Sequence, residues 1–252
     1  MPFTVNTDVC LFDLDGTLVD TKVASEAAWT KLCVQHNVNP EELFKVSHGA
    51  KSADMFKRFF PNVDNTDDKA TLALDKEIAD CYLDSVRLIP GVEELLLLLD
   101  KDTADASVNF KDNDRRKWAI VTSGYEYLAY SWFNTILKKV GPPSVFVTGG
   151  DVTRGKPDPM GYAMARDKIA EIRNYASPTR SVVFEDAPVG VQAGKAMGAT
   201  VIGIASSHAP EKLVAAGADF VVADMTHVKV TKNTEGGCIT LQVSDPIYPA
   251  SN

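Results

Sequence analysis

Six short apolar runs separated by stretches of helical periodicity constrain this chain's fold more tightly than any other feature of it. The first is Val9-Cys-Leu-Phe12, and the others fall at residues 118–121, 145–147, 181–184, 200–204 and 220–222. Helix candidates lie around residues 92–99, 125–139, 159–172, 189–197 and 210–216. Runs this short and uniformly apolar have no polar face to turn to water, so both faces need covering, and the intervening helices supply the cover. The pattern predicts an α/β fold with a doubly wound, Rossmann-like parallel sheet. Residues 23–86 break the alternation with helical patterning alone. Ala28, Trp29, Leu32 and Cys33 share one helix face there, and Leu74, Ile78, Cys81, Tyr82 and Ser85 recur at helical spacing. That predicts a small helical cap domain, residues 21–87, inserted after the first strand into a core made of residues 1–20 and 88–252.

Two further stretches stand apart. Residues 100–117 (with Asp100, Lys101, Asp102, Asp105, Lys111, Asp112, Asp114, Arg115, Arg116) lack apolar periodicity and read as a solvated surface loop. Residues 228–243 alternate around Glu235-Gly-Gly237, with Ile239, Leu241 and Val243 on one face, and read as a terminal hairpin. A net charge of −8 argues against nucleic-acid or anionic-membrane partners, so any phosphate site must be local. The four cysteines, Cys10, Cys33, Cys81 and Cys238, show no C-x-x-C spacing and read as packing thiols in a reducing compartment. With no charged leader and no apolar run near the ~18 residues of a membrane span, the chain is expected to be cytoplasmic, unanchored, unprocessed and monomeric.

The chemistry-bearing residues gather at the ends of the apolar runs. The first run continues into Asp13-Leu-Asp-Gly-Thr17. Period-2 geometry points Asp13 and Asp15 the same way, and Gly16 lets the backbone turn closely around whatever they face. The run at 118–121 leads into Thr122-Ser-Gly124, which offers a hydroxyl and backbone N–H groups to a phosphate or simply caps the next helix. Lys156, in Gly155-Lys-Pro-Asp-Pro159, reads either as a solvated surface residue or as a cation bridging a substrate phosphate and Asp13. Glu185 and Asp186 end the run at 181–184 and either cap the next helix or, with Asp13, form a hard-oxygen site suited to Mg²⁺.

These motifs, in this order and over nearly the whole chain, resemble those of the haloacid-dehalogenase-like hydrolases. At finer grain Leu11-Phe-Asp-Leu-Asp-Gly-Thr17, Ser47-His-Gly49, Val183-Phe-Glu-Asp-Ala-Pro-Val-Gly190 and Ala193-Gly-Lys-Ala-Met-Gly198 resemble the fungal 2-deoxyglucose-6-phosphate phosphatases, with many segments shared by the glycerol-phosphate phosphatases. The resemblance implies that Asp13 is a phosphoryl-accepting nucleophile and Asp15 the general acid and base. It further implies Mg²⁺ as cofactor, on Asp13, Asp186, the main-chain carbonyl of Asp15 and Glu185. Thr17, Thr122, Ser123, Gly124 and Lys156 would hold the phosphoryl group. The substrate would be a small phosphorylated sugar or polyol, 2-deoxyglucose 6-phosphate-like, with glycerol 3-phosphate as the rival and a sugar phosphomutase as a further alternative. His48, Gly49 and Lys51, on the cap loop, would contact sugar hydroxyls or gate entry; otherwise His48 caps a helix and Lys51 is solvated. Lys51 stands where relatives commonly carry Arg, and the two are not equivalent in bidentate contacts. His36, His208 and His227 show no ligand spacing and are given no role.

Overall fold

The computed structural model describes residues 2–112, 115–176 and 179–248. The apolar runs become β2 (Val9–Phe12), β5 (Trp118–Val121), β6 (Phe146–Val147), β7 (Ser181–Glu185), β8 (Thr200–Ile204) and β9 (Phe220–Val222). They pair in parallel in the order β6-β5-β2-β7-β8-β9, with Phe12 opposite Ile120 on one side and Phe184 on the other. Strand alternation splits the core in two. Cys10, Phe12, Trp118, Ile120, Val182 and Phe184 pack on one face, while Val9, Leu11, Ala119, Val121, Val183 and Val201 pack on the other. Helices α7 (Met160–Arg173), α8 (Pro188–Ala196) and α9 (Pro210–Ala215) cover the second face through Tyr162, Val191 and Leu213. Helices α5 (Val92–Leu99) and α6 (Glu126–Asn134) cover the first through Leu96, Leu99, Ala129 and Trp132. Helix α6 is shorter than the 125–139 predicted, giving way to turns after Asn134.

Between β3 (Val19–Asp20) and β4 (Arg87–Leu88) come four helices: α1 (Lys22–His36), α2 (Pro40–Ser47), α3 (Ser52–Phe59) and α4 (Lys69–Cys81). The two short strands pair antiparallel, Val19 with Leu88 and Asp20 with Arg87, so the chain enters and leaves the helical insert at one place. Asn39 starts α2 by accepting the Glu41 N–H at 2.9 Å, with Pro40 as its first residue. Trp29 lies against Phe56 and Phe60, ring centroids 5.4 and 5.9 Å away, and anchors the insert's own apolar centre.

A second sheet holds the chain ends. The terminal hairpin, β10 (Val228–Asn233) and β11 (Ile239–Val243), forms as the alternation predicts, and β1 (Phe3–Thr7) joins it in the order β1-β11-β10. Residues 100–117 depart from the solvated loop predicted for them. Asp100, Asp102, Phe110, Arg116 and Lys117 are buried, because their polar groups find partners inside the fold. The Arg116 guanidinium donates to both oxygens of Asp100 at 2.8 and 2.9 Å and to the carbonyls of Val140 and Pro142. Lys117 donates to the Gly237 carbonyl at 2.9 Å and to that of Thr234. Asp114 lies outside the described residues. Cys10 and Cys33 are buried as packing thiols, whereas Cys81 is exposed. Among the described residues no helix is long and apolar enough to cross a membrane.

Candidate active site

The chain leaves β2, at the middle of the sheet, for β5 and β6 on one side and then for β7, β8 and β9 on the other. Such a reversal opens a crevice at the carboxyl ends of the central strands. Asp13 follows β2, Thr122 follows β5, Glu185 ends β7 with Asp186 behind it, and Lys156 comes from the loop after β6. Asp13 is fixed by its own N–H, which donates to the Phe184 carbonyl at 3.0 Å. Gly16 has φ +93°, and a Cβ there would overlap the Asp186 carboxylate, so the turn requires glycine on both counts.

A buried ion cluster lies behind Asp13. Lys156 Nζ bridges Asp13 Oδ1 at 2.6 Å and Glu185 Oε1 at 2.7 Å. Burial pulls the lysine toward neutrality, but the Asp13 and Glu185 carboxylates outweigh it and raise its pKa. Glu185 also accepts the Tyr162 hydroxyl at 2.9 Å and the Ala187 N–H at 3.0 Å. Asp186 accepts the Thr17 hydroxyl at 3.2 Å. Burial, with the charges of Asp13 and Glu185, pushes Asp186 well above the usual carboxylate range, and burial raises Asp13 likewise. Asp13 Oδ2 is buried with no hydrogen-bond partner, an expensive state for a carboxylate oxygen. Oxygens of Asp13, Glu185 and Asp186 come within 4.8 Å of one another. An orphaned oxygen in a set of hard, crowded carboxylates fits a divalent cation such as Mg²⁺, which would satisfy the first and neutralise the second.

Asp15 is held differently. Its Oδ1 accepts the Trp132 Nε1–H at 2.9 Å and its Oδ2 accepts the Thr122 hydroxyl at 3.3 Å. Burial first, and the neighbouring Asp13 charge second, push its carboxyl up to about 6. Thr122 Oγ1 also accepts the Gly124 N–H at 3.0 Å, so the hydroxyl organises the turn into α6 as well as meeting Asp15.

Helices α1, α3 and α4 close a cavity of about 80 Å³ over Asp13, Asp15 and Asp186. Ser123, Gly124, His48 and Gly49 line it, and the Ser123 hydroxyl donates to the Gly49 carbonyl at 2.9 Å, joining strand end to insert. His48 Nε2 meets Glu26 Oε1 at 3.2 Å. Three predicted substrate contacts lie off the cavity wall, the first being Lys156, which sits behind Asp13. Thr17 is buried on Asp186 rather than on the cavity wall, and Lys51 turns away to the Val152 carbonyl at 3.1 Å, against Tyr125. Residues at the site that were not predicted include Trp132 on Asp15, Tyr162 on Glu185, Asp75 in the cavity wall, and His208, whose Nδ1 meets the Asp186 carbonyl at 3.0 Å. None sits in a local motif; a Trp or Asp at helical spacing reads as core or as solvated face.

Comparison with known proteins identifies the family. A family model described as haloacid dehalogenase-like hydrolase matches residues 7–198. The chain is 58% identical over 242 residues to 2-deoxyglucose-6-phosphate phosphatase 2 of Saccharomyces cerevisiae, covering 95% of this chain and 96% of that one. It is 31% identical over 251 residues to glycerol-1-phosphate phosphohydrolase 1 of the same yeast, covering 98% and 94%. The crystal structure of a hydrolase from Pseudomonas syringae superposes with a TM-score of 0.62 at 28% identity, covering 86% of this chain and 94% of that one. The chain is therefore a member of the haloacid dehalogenase-like hydrolase family.

Proposed function

We propose that this protein is a Mg²⁺-dependent phosphatase of small sugar phosphates, 2-deoxyglucose 6-phosphate-like, acting through an aspartyl-phosphate on Asp13. Residues 21–87 serve as the cap and residues 1–20 and 88–252 as the catalytic core. The observation that carries the substrate class is the near full-length likeness to the yeast phosphatase named for that ester; the floor of the cavity supplies the chemistry. Asp13 attacks phosphorus, forming an Asp13 O–P bond as the bond to the sugar oxygen breaks. Asp15 donates its proton to the departing oxygen, then takes one from the water that hydrolyses the acyl phosphate and regenerates Asp13. A carboxyl raised to about 6 suits both halves near neutral pH. Lys156, anchored by Glu185, orients the Asp13 carboxylate and offsets its repulsion of an incoming phosphate. Thr122 and the Ser123 backbone hold the phosphoryl oxygens beside the cap loop that carries His48 and Gly49, while Gly124, whose N–H donates to Thr122 Oγ1, shapes the turn. Thr17 acts by fixing Asp186, and Glu185, whose oxygens are already engaged, by holding Lys156. Mg²⁺, held by Asp13, Asp186 and the main-chain carbonyl of Asp15, would withdraw charge from the phosphoryl oxygens.

The test is inorganic phosphate release, with and without Mg²⁺, from 2-deoxyglucose 6-phosphate, glucose 6-phosphate and glycerol 3-phosphate. Mg²⁺-dependent release that favours the deoxy sugar is the expected result. The likeness to the glycerol-1-phosphate phosphohydrolase favours a second reading, which preference for the glycerol ester would establish. An isomerised ester without free phosphate would replace both with a mutase.

A further inference from the structure

We infer that Asp75, on cap helix α4, is a specificity-determining residue: its free carboxylate oxygen accepts a hydrogen bond from a hydroxyl of the departing alcohol. This rests on the phosphatase reading and says how that site selects polyhydroxylated leaving groups. Asp75 is only 1% exposed. Its Oδ2 accepts the Tyr125 N–H at 2.8 Å, at the start of α6, and this fixes the side chain. Its Oδ1 is buried with no partner in the protein. Both Asp75 and Ile78, three residues on along the same helix face, line the cavity that also holds Asp13 and Asp15. Anchoring Tyr125 needs one acceptor, so that role leaves the second oxygen unexplained, at the cost of a buried, unsatisfied acceptor. The departing oxygen sits at Asp15, its proton donor, so the carbons attached to it extend toward the cap. A hydroxyl on them comes to the wall that Asp75 lines, next to apolar Ile78, Trp29 and Met55. A site built to pair a substrate hydroxyl discriminates strongly against a leaving group that lacks it.

The experiment measures kcat/KM at pH 8, where the Asp75 carboxyl is ionised, with Mg²⁺ present, for wild type and Asp75→Asn on 2-deoxyglucose 6-phosphate and on acetyl phosphate, whose leaving group carries no hydroxyl. Asn keeps an oxygen for the Tyr125 N–H but turns an amide donor into the cavity. The readout is the ratio of the two kcat/KM values, sugar ester over acetyl phosphate. A hydrogen bond to a charged group corresponds to about tenfold or more, so the ratio is expected to fall at least fivefold in the variant. A smaller change, including an equal loss on both substrates, overturns the assignment, because a purely structural Asp75 lowers both together. If Asp75→Asn does not fold, Asp75→Ser, which retains an acceptor, replaces it under the same criterion. Wild-type protein that hydrolyses acetyl phosphate but not the sugar ester would instead sink the substrate reading on which the inference stands.

Discussion

Glu185 lies outside the cavity yet is tied to Asp13 through Lys156. It is completely buried, yet one oxygen accepts from Lys156 and Tyr162 and the other from the Ala187 N–H, so its charge is used in full. The arrangement fits only because residue 190, in the first turn of α8, is glycine: a Cβ there would overlap the Glu185 carboxylate. Gly190→Ala is therefore expected to displace Glu185 and release Lys156 from Asp13, lowering kcat by about 100-fold, the usual cost of a catalytic group misplaced by about 1 Å. Steady-state kinetics on a variant shown folded by circular dichroism checks this, and an activity within threefold of wild type contradicts it. The Asp13-x-Asp15 pair was legible in the sequence because its chemistry is local. Trp132 and Asp75 were not, because their partners lie 117 and 50 residues away and only the fold brings them together.

At the scale of elements, the segment between α5 and β5 is the clearest case of a sequence signal that misleads. Its run of charges carries the composition of a solvated loop, but Arg116 and Asp100 are buried as a bidentate pair, with the Trp118 Nε1–H on the same carboxylate at 2.8 Å. Composition reports charge and not whether the charge finds a partner; here the other acceptors, the carbonyls of Val140, Gly141 and Pro142, come from the turn before β6. Arg116→Ala leaves the Asp100 carboxylate buried and unpaired, and is expected to cost about 3–5 kcal/mol in urea unfolding. Asp112→Ala, at an exposed position of the same segment, is expected to stay within about 0.5 kcal/mol. Similar small values for both would restore the solvated loop. By contrast the six apolar strands and the terminal hairpin were readable, because a buried parallel strand and an alternating edge strand leave period signals that composition does not dilute. The strand at Phe3–Thr7 escaped notice because three of its five residues are polar and only its pairing with β11 gives it a buried face.

At the scale of the molecule, the site concentrates negative charge inside a protein that already carries −8. Burial holds Asp15 up to about 6 and Asp75 up to about 7, against an ordinary 3.8. A carboxyl raised in the folded state contributes stability below its ordinary value of 3.8 and loses it as pH climbs through 6 and 7. The metal-free protein is thus expected to melt at progressively lower temperature from pH 5 to pH 8. Mg²⁺ would take the place of protons on Asp13 and Asp186, whose carboxyls burial raises as well, so its stabilisation is expected to grow as they ionise over this range. At a hundredfold excess over its Kd it contributes about 2.7 kcal/mol, or a Tm increase of about 5–10 °C at pH 8 and less at pH 5. Calorimetry with Mg²⁺ and with a chelator at both pH values checks this. An equal shift at both, or none, would contradict the metal assignment.

The most direct test of Asp13 as nucleophile is to trap the acyl phosphate. Asp15→Asn protein, which lacks the base for hydrolysis, is incubated with Mg²⁺ and ³²P-acetyl phosphate, whose acetate departs without an acid, then quenched and mapped by mass spectrometry. Label on Asp13, absent from the doubly substituted Asp13→Asn, Asp15→Asn protein, is the predicted result. Label on another residue, or phosphate released by wild type while neither protein is ever labelled, would contradict it.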